Sequence, residues 1–269
     1  MSNFSPSSVE RCMAALELLV EHSNGLSISA ISQKLALPLS ATHRLLQALI
    51  ASHYVRQESF SGRYIPTLRL SAIGLRLLAN TNITQACQAP LDELAAQSGE
   101  LVRLAVVDGD RMTWVAKAQG ATGSIRYDPI SGQDVPLHTT AMGKVWLASM
   151  PEEKALAQVE SRGFGSALVG PRAVKNLEEL RHAIRVTREL GFGLNEQESE
   201  MGLSAIAMLV TDQSQSGMVL GAVSIAGLSF LLNREQLFSF AAPLRRAVQQ
   251  IAVLWPVRAY QVARVAQAA

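Results

Sequence analysis

The chain has 269 residues, of which 48% are apolar and 17% charged, with a formal net charge of +2. That length exceeds one ordinary domain and predicts two cores, one small and one larger, while no window offers the roughly 18 uninterrupted apolar residues that a membrane span needs. Cys12 and Cys87 have no Cys or His neighbours at ligand spacing, which argues against a disulfide scaffold or a zinc module and leaves two reduced thiols.

The opening MSNFSPSSVERCMAAL has no basic leader ahead of an apolar run, so a cytoplasmic location is expected. Charge is uneven along the chain: up to Asn80 seven basic residues stand against four acidic ones, +3, which leaves −1 for the remainder. Phosphate backbones reward local basic clusters, so the first 80 residues are the candidate for contact with DNA.

Ser8 can cap a first helix in which Val9, Met13, Leu16 and Val20 recur at the spacing of a buried stripe, and Asn24-Gly25 ends it. Ser27 can cap a short second helix with Ile28, Ile31 and Leu35 inward, broken at Ala36-Leu37-Pro38. A third helix is predicted from about Pro38 to Ser52. Its wheel puts Ala41, Leu45, Ala48 and Leu49 on one face and Ser40, His43, Arg44 and Gln47 on the other, with Thr42 counted among the polar contacts. Two helices joined by a tight turn, the second presenting Ser, His, Arg and Gln, meet what reading a major groove requires. Taken alone, the same face is equally an ordinary solvated surface. Tyr54 to Gln57 and Arg63 to Pro66 then read as two strands around a turn, a wing with Arg56 and Arg63 placed to reach phosphates.

Thr67 to Asn80 is apolar on more than one side (Leu68, Leu70, Ile73, Leu75, Leu77, Leu78) and should be buried, either in its own protomer's core or against a second subunit. Beyond it a helix is expected near Gln85 to Ser98, then strands at Val102 to Val107 and Met112 to Lys117 around Asp108-Gly109. Further strands are expected at Ser124 to Tyr127, Phe192 to Asn195, Ala205 to Val210 and Met218 to Ala226. Asn176 with Glu179, and Asn233 with Gln236, have the spacing of helix caps, and Gly191 fits a helix end. The fold class is therefore α+β: a winged helix-turn-helix over 1–66, a linker helix over 67–80, and an antiparallel sheet flanked by helices over 81–269.

The stretch LSISAISQKLALPLSATHRLLQALIASHYVRQ followed by SGRYIPTLRLSAIG, with VPLHTTAMGKVWLASM, ELGFGLNEQE, GLSAIAMLV and GAVSIAG in order behind it, resembles the IclR family of bacterial regulators over nearly the whole chain. Ala36 and His53 stand where that family often has Gly, Leu39 where a polar or basic residue is usual, and Met208 where Pro is common. The resemblance implies a GAF-like effector domain, a linker that pairs subunits into a dimer or tetramer, and an operator in double-stranded DNA. It also implies effector contacts at Ala141, Met142, Asn195, Leu203, Ala205, Ser224 and Ala226.

Those positions make physical sense as a pocket. Amides at the helix start, Thr140 to Met142, can cradle a carboxylate; Ser224 and Asn195 can orient it; Leu203, Ala205 and Met142 can pack an apolar body. Arg126 is a candidate carboxylate clamp or else one half of a surface ion pair. The whole set also reads as the small-residue core of a twisted sheet.

Catalysis fails on spacing. HTTAMGKV lacks the leading Gly and trailing Ser or Thr of a phosphate loop, GFGSAL and GFGLNE lack the third Gly of a dinucleotide turn, and there is no G-x-S-x-G elbow. His138 fits a buried hydrogen-bonding residue at a strand-to-helix junction better than a base or metal ligand. The expected function is a ligand-responsive DNA-binding repressor sensing a small organic acid, with no catalytic residue, cofactor or metal. The alternative is a small-molecule-binding or protein-interaction module that does not use its winged helix on DNA, and an enzyme of carboxylic-acid metabolism comes third.

Overall fold

A computed structural model describes residues 7–165, 169–213 and 217–256. The ends of the two expected domains, 1–6 and 257–269, and the last three residues of GFGSAL lie outside the described residues. The rest divides into two compact units between Leu78 and Ala79.

The first unit holds helices α1 (Ser8–Glu21), α2 (Ile28–Lys34) and α3 (Leu39–Ala51), then strands β1 (Val55–Gln57) and β2 (Tyr64–Pro66). The cap of α1 is Ser7, one residue before the expected Ser8: its hydroxyl accepts from Glu10 N at 3.2 Å while the Glu10 carboxylate accepts from Ser7 N, a reciprocal box. Ser27 caps α2 as expected. The expected stripe of α1 is corrected. Ala15, Leu16 and Leu19 enter the core with Ile31, Leu46, Leu49, Val55 and Tyr64, whereas Val9, Met13 and Val20 face outward. Ala15 lets α1 come close where a longer side chain would hold it off, and only Leu16 belongs to both stripes.

Ala36 and His53 both sit in the left-handed region, at φ +51° and +62°. This gives a physical reason why glycine suits these two turns. Ala36→Gly should stabilise the first unit by about 1 kcal/mol, read as a raised melting temperature; an unchanged or lowered one would show that the turn carries no strain.

Helix α4 (Leu68–Thr81) coincides with the expected linker and runs across the division between the units. Its expected burial is not met within one chain: no residue of α4 is buried, and Leu68, Leu75 and Leu77 are each more than half exposed.

The second unit adds α5 (Ile83–Ser98), β3 (Leu101–Asp108), β4 (Arg111–Gln119), α6 (Ala141–Ala148), α7 (Glu152–Glu160), α8 (Leu177–Leu190), β5 (Gly193–Glu196), β6 (Leu203–Thr211), β7 (Val219–Leu228), α9 (Arg234–Ser239) and α10 (Ala241–Leu254). Its sheet has the order β4-β3-β7-β6-β5, with every neighbouring pair antiparallel. Asn176 and Asn233 cap α8 and α9, and Gly191 ends α8 at φ +74°. Helices α5 and α10 cover one face of the sheet and α6 the other, with α7 and α8 packed behind α6. The expected strand at Ser124 to Tyr127 does not form; residues 120–134 are an irregular loop. Among the described residues no helix is long and apolar enough to cross a membrane.

Candidate functional site

In the first unit the sequence places α3 so that Thr42, Leu46 and Leu49 point into the core while Ser40, His43, Arg44 and Gln47 are exposed. Thr42 is corrected: it is fully buried and its hydroxyl donates to the Pro38 carbonyl at 3.1 Å, the back-bond of a helical threonine, so it presents nothing outward. Arg56 is exposed on β1, opposite Ile65. Arg63 is also exposed, but its guanidinium leans back on the carbonyls of Asn24 and Gly25 at 3.5 and 3.4 Å, so it braces the turn between α1 and α2. Two features escaped the sequence reading. Phe60 stands fully exposed at the tip of the hairpin, and Arg69 stacks over the Tyr54 ring at 5.2 Å.

In the second unit the register and the period of two decide which side chains share a face. Asn195, Ala205, Ala226 and Leu101 are cross-strand neighbours in one row; Gly193, Ala207, Ser224 and Arg103 form the next. Ala205, Ala207 and Ala226 pack in one cluster with Ala141, Met142, Val145 and Trp146, so both rows look toward α6. Leu203 belongs to the same face and is buried.

The structure thus gathers Thr140, Ala141, Met142, Asn195, Leu203, Ala205, Ser224 and Ala226 around one buried face, and it leaves Arg126 out. Arg126 is exposed on the irregular loop. Two polar members are already engaged. The Thr140 hydroxyl accepts from Gly143 N at 3.0 Å and donates to the Pro136 carbonyl at 2.7 Å, and the Asn195 amide oxygen accepts from Glu198 N at 2.9 Å while its nitrogen donates to the Ser199 hydroxyl. They build the frame of the site more than its open contacts.

The residue that sequence reasoning missed is Arg103. It lies in the middle of LVRLAVV, where it reads as one polar residue in an ordinary strand. It is 3% exposed, its guanidinium carbon sits 3.7 Å over the Trp114 ring, and one terminal nitrogen donates to the Ile130 carbonyl at 3.1 Å. A bulge makes the stacking possible. Leu104 pairs with Ala116 but Ala105 with Trp114, so Val115 is skipped and Trp114 turns to the face that Arg103 occupies.

Lys144 and Glu198 form an ion pair nearly sealed from water, with side chains 6% and 13% exposed. Burial pushes the Glu198 carboxyl above its usual range although the charge and hydrogen bond of Lys144 pull it down. Removing the cation with Lys144→Met leaves that carboxylate without its counter-ion, a cost of about 3 kcal/mol. The sign follows from proton binding: folded Glu198 then holds its proton to higher pH than the unfolded chain does, so destabilisation grows as pH rises. Thermal melts should show a larger deficit for the variant at pH 8 than at pH 5; a pH-independent deficit would mean that Glu198 does not titrate as described. His138 is buried at the entry to α6, edge-on to Phe164 at 5.2 Å, and burial holds its pKa below the usual value.

Comparison with known proteins agrees with this geometry. The family model "IclR helix-turn-helix domain" matches residues 8–59, and "Bacterial transcriptional regulator IclR C-terminal" matches residues 75–253. Among curated proteins the chain is 30% identical to the HTH-type transcriptional regulator XynR of Escherichia coli K12 over 240 residues, covering 89% of this chain and 93% of that one. It is 28% identical to the DNA-binding transcriptional repressor YiaJ of the same strain over 244 residues, 91% and 86% of the two chains. In fold it resembles the crystal structure of an IclR regulator from Alicyclobacillus acidocaldarius, with TM-score 0.77 and 21% identity over 93% of this chain and 99% of that one. With both family models matched in order and together spanning most of its length, the chain belongs to the IclR family of bacterial transcriptional regulators.

Proposed function

We propose that the protein is a ligand-responsive repressor: the first unit holds an operator through α3 and the hairpin, and the second unit binds a small organic acid against the face of the sheet that looks toward α6. The observation that carries the first half is the orientation of α3, whose polar side chains Ser40, His43, Arg44 and Gln47 are all free toward solvent while its other face is locked into the core. The repressor sense is supported by the name of the E. coli relative YiaJ. Ser40, His43, Arg44 and Gln47 read bases, and Arg56 holds a phosphate. A gel-shift against the fragment upstream of its own gene should show specific binding that weakens steeply with salt. Lack of such binding to any upstream fragment would end this reading.

The working form is a homodimer, or a pair of dimers, in the cytoplasm. The exposed apolar residues of α4 support this, since Leu68, Leu75 and Leu77 find no covering surface among the described residues of one chain, and paired readers match palindromic operators. Leu75→Asp with Leu77→Asp should shift sedimentation toward the monomer and abolish operator binding at concentrations where the parent binds. A variant that sediments as the parent does would move the subunit contact elsewhere.

A further inference from the structure

One row of the face toward α6 runs from Arg103 through Ser224 and Ala207 to Gly193, and it is shut at Gly193, where a Cβ would already stand 2.0 Å from the Ala141 carbonyl. Arg103 lies at the other end of the row. There the cover changes from α6 to residues 127–130, which are tied down by side chains of the same face: Arg103 to Ile130, Lys117 to Pro129, and Gln119 to Tyr127, all through backbone carbonyls. Arg103 is therefore a full positive charge in a nearly closed seam, and no carboxylate among the described residues pairs with it. Its Nε is buried without a hydrogen-bond partner. Burial draws its pKa down to about 10, with Tyr127 acting the other way, so it remains a cation at neutral pH. Such a charge is costly unless something negative reaches it. The indole under the guanidinium supplies attraction without using its N–H groups, so the donors at its edge stay available.

Resting on the reading of the second unit as an acid sensor, we propose that Arg103 is the anion anchor of the effector site. A monocarboxylate with a flat apolar body enters between α6 and residues 127–130, its carboxylate takes the Nε–H of Arg103, Ser224 on the neighbouring strand donates to the second oxygen, and the body lies along Ala207, Ala205 and Ala226. This places the effector's charge at the β3 side of the face, away from the helix-start amides of α6 and from Arg126. One oxygen of the acid satisfies the Arg103 Nε–H that the chain leaves open.

The test uses the full chain and three acids, benzoate, 4-hydroxybenzoate and hexanoate, with benzamide as the neutral match for the first. In a 15N–1H spectrum of the arginine Nε region, the signal absent from Arg103→Lys should move on adding at least one acid and not on adding benzamide. Arg103→Gln should weaken binding of that acid by about tenfold or more, with operator binding unchanged. An acid that raises the melting temperature but leaves the Nε signal in place, and binds Arg103→Gln equally well, overturns the anchor and leaves the acid sensor standing. Benzamide binding in preference to every acid, or no response to any of the four, overturns the acid sensor and the anchor with it. Should Arg103→Gln not fold, the movement of the wild-type signal decides alone.

Discussion

A protein carrying Arg44→Ala and Arg56→Ala binds its operator about a hundredfold more weakly than the parent, or worse, and melts at nearly the same temperature. The first half follows from the contacts proposed for each side chain. A bidentate arginine contact to a base edge is worth about 1–3 kcal/mol, and a dimer makes it twice. Loss of a phosphate contact lowers the slope of log affinity against log salt by about one for each arginine removed. The second half follows from exposure: both side chains face solvent, and surface substitutions of this kind change stability by about 0.5 kcal/mol or less. Fluorescence anisotropy over a range of salt separates the two roles, because Arg44→Ala alone should relax base preference while Arg56→Ala alone should weaken all sequences alike. Equal affinity of parent and double variant would remove α3 and the hairpin from the DNA.

The role of Arg63 shows how sequence and structure divide the information. Its place in the hairpin was legible, because a turn with Gly between two short apolar strands has few other readings. That its guanidinium would fold back on Asn24 and Gly25 was not, since nothing local records which loop lies beside the hairpin. Thr42 is a different case, because the wheel itself sets it beside Leu49 and away from Ser40, His43, Arg44 and Gln47; its polar hydroxyl hides this, and it turns inward at little cost by returning to the carbonyl four residues back.

In the second unit the capping residues of α8 and α9 were readable because each cap is satisfied within four residues of itself. The bulge at Val115 was not readable, for it depends on which strand lies beside β4. It decides what lies against Arg103: with strict alternation Trp114 would face α5, and Arg103 would have no ring to rest on. The stripe of α1 failed for a related reason. Two apolar rows overlap on that helix, and the choice between them is made by the partners α3 and β2, not by α1 itself.

The close approach of α6 to the sheet leads to a second large expected effect, on stability and on effector response together. Gly193 on β5 lies under the first turn of α6, where an added Cβ would stand 2.0 Å from the Ala141 carbonyl oxygen and 3.2 Å from the Val145 Cβ. The first obstacle is backbone and cannot swing aside. Gly143, on α6 itself, would meet the Leu137 backbone at 2.4 Å, so α6 is held from both sides and has no room to retreat. Gly193→Ala must therefore lift α6 or displace β5, the edge strand, at a cost of about 3 kcal/mol, which lowers the melting temperature of a unit this size by about 6–12 °C. The same shift opens the face that Ala141, Met142 and Ala205 close, so an acid that stabilises the parent should no longer stabilise the variant. Gly74→Ala in α4 is the control: nothing lies within 4 Å of its added Cβ, and alanine in a helix gains up to about 1 kcal/mol over glycine. If Gly193→Ala melts with the parent, the sheet and α6 are not in backbone contact, and the face that looks toward α6 is not shut at its β5 end.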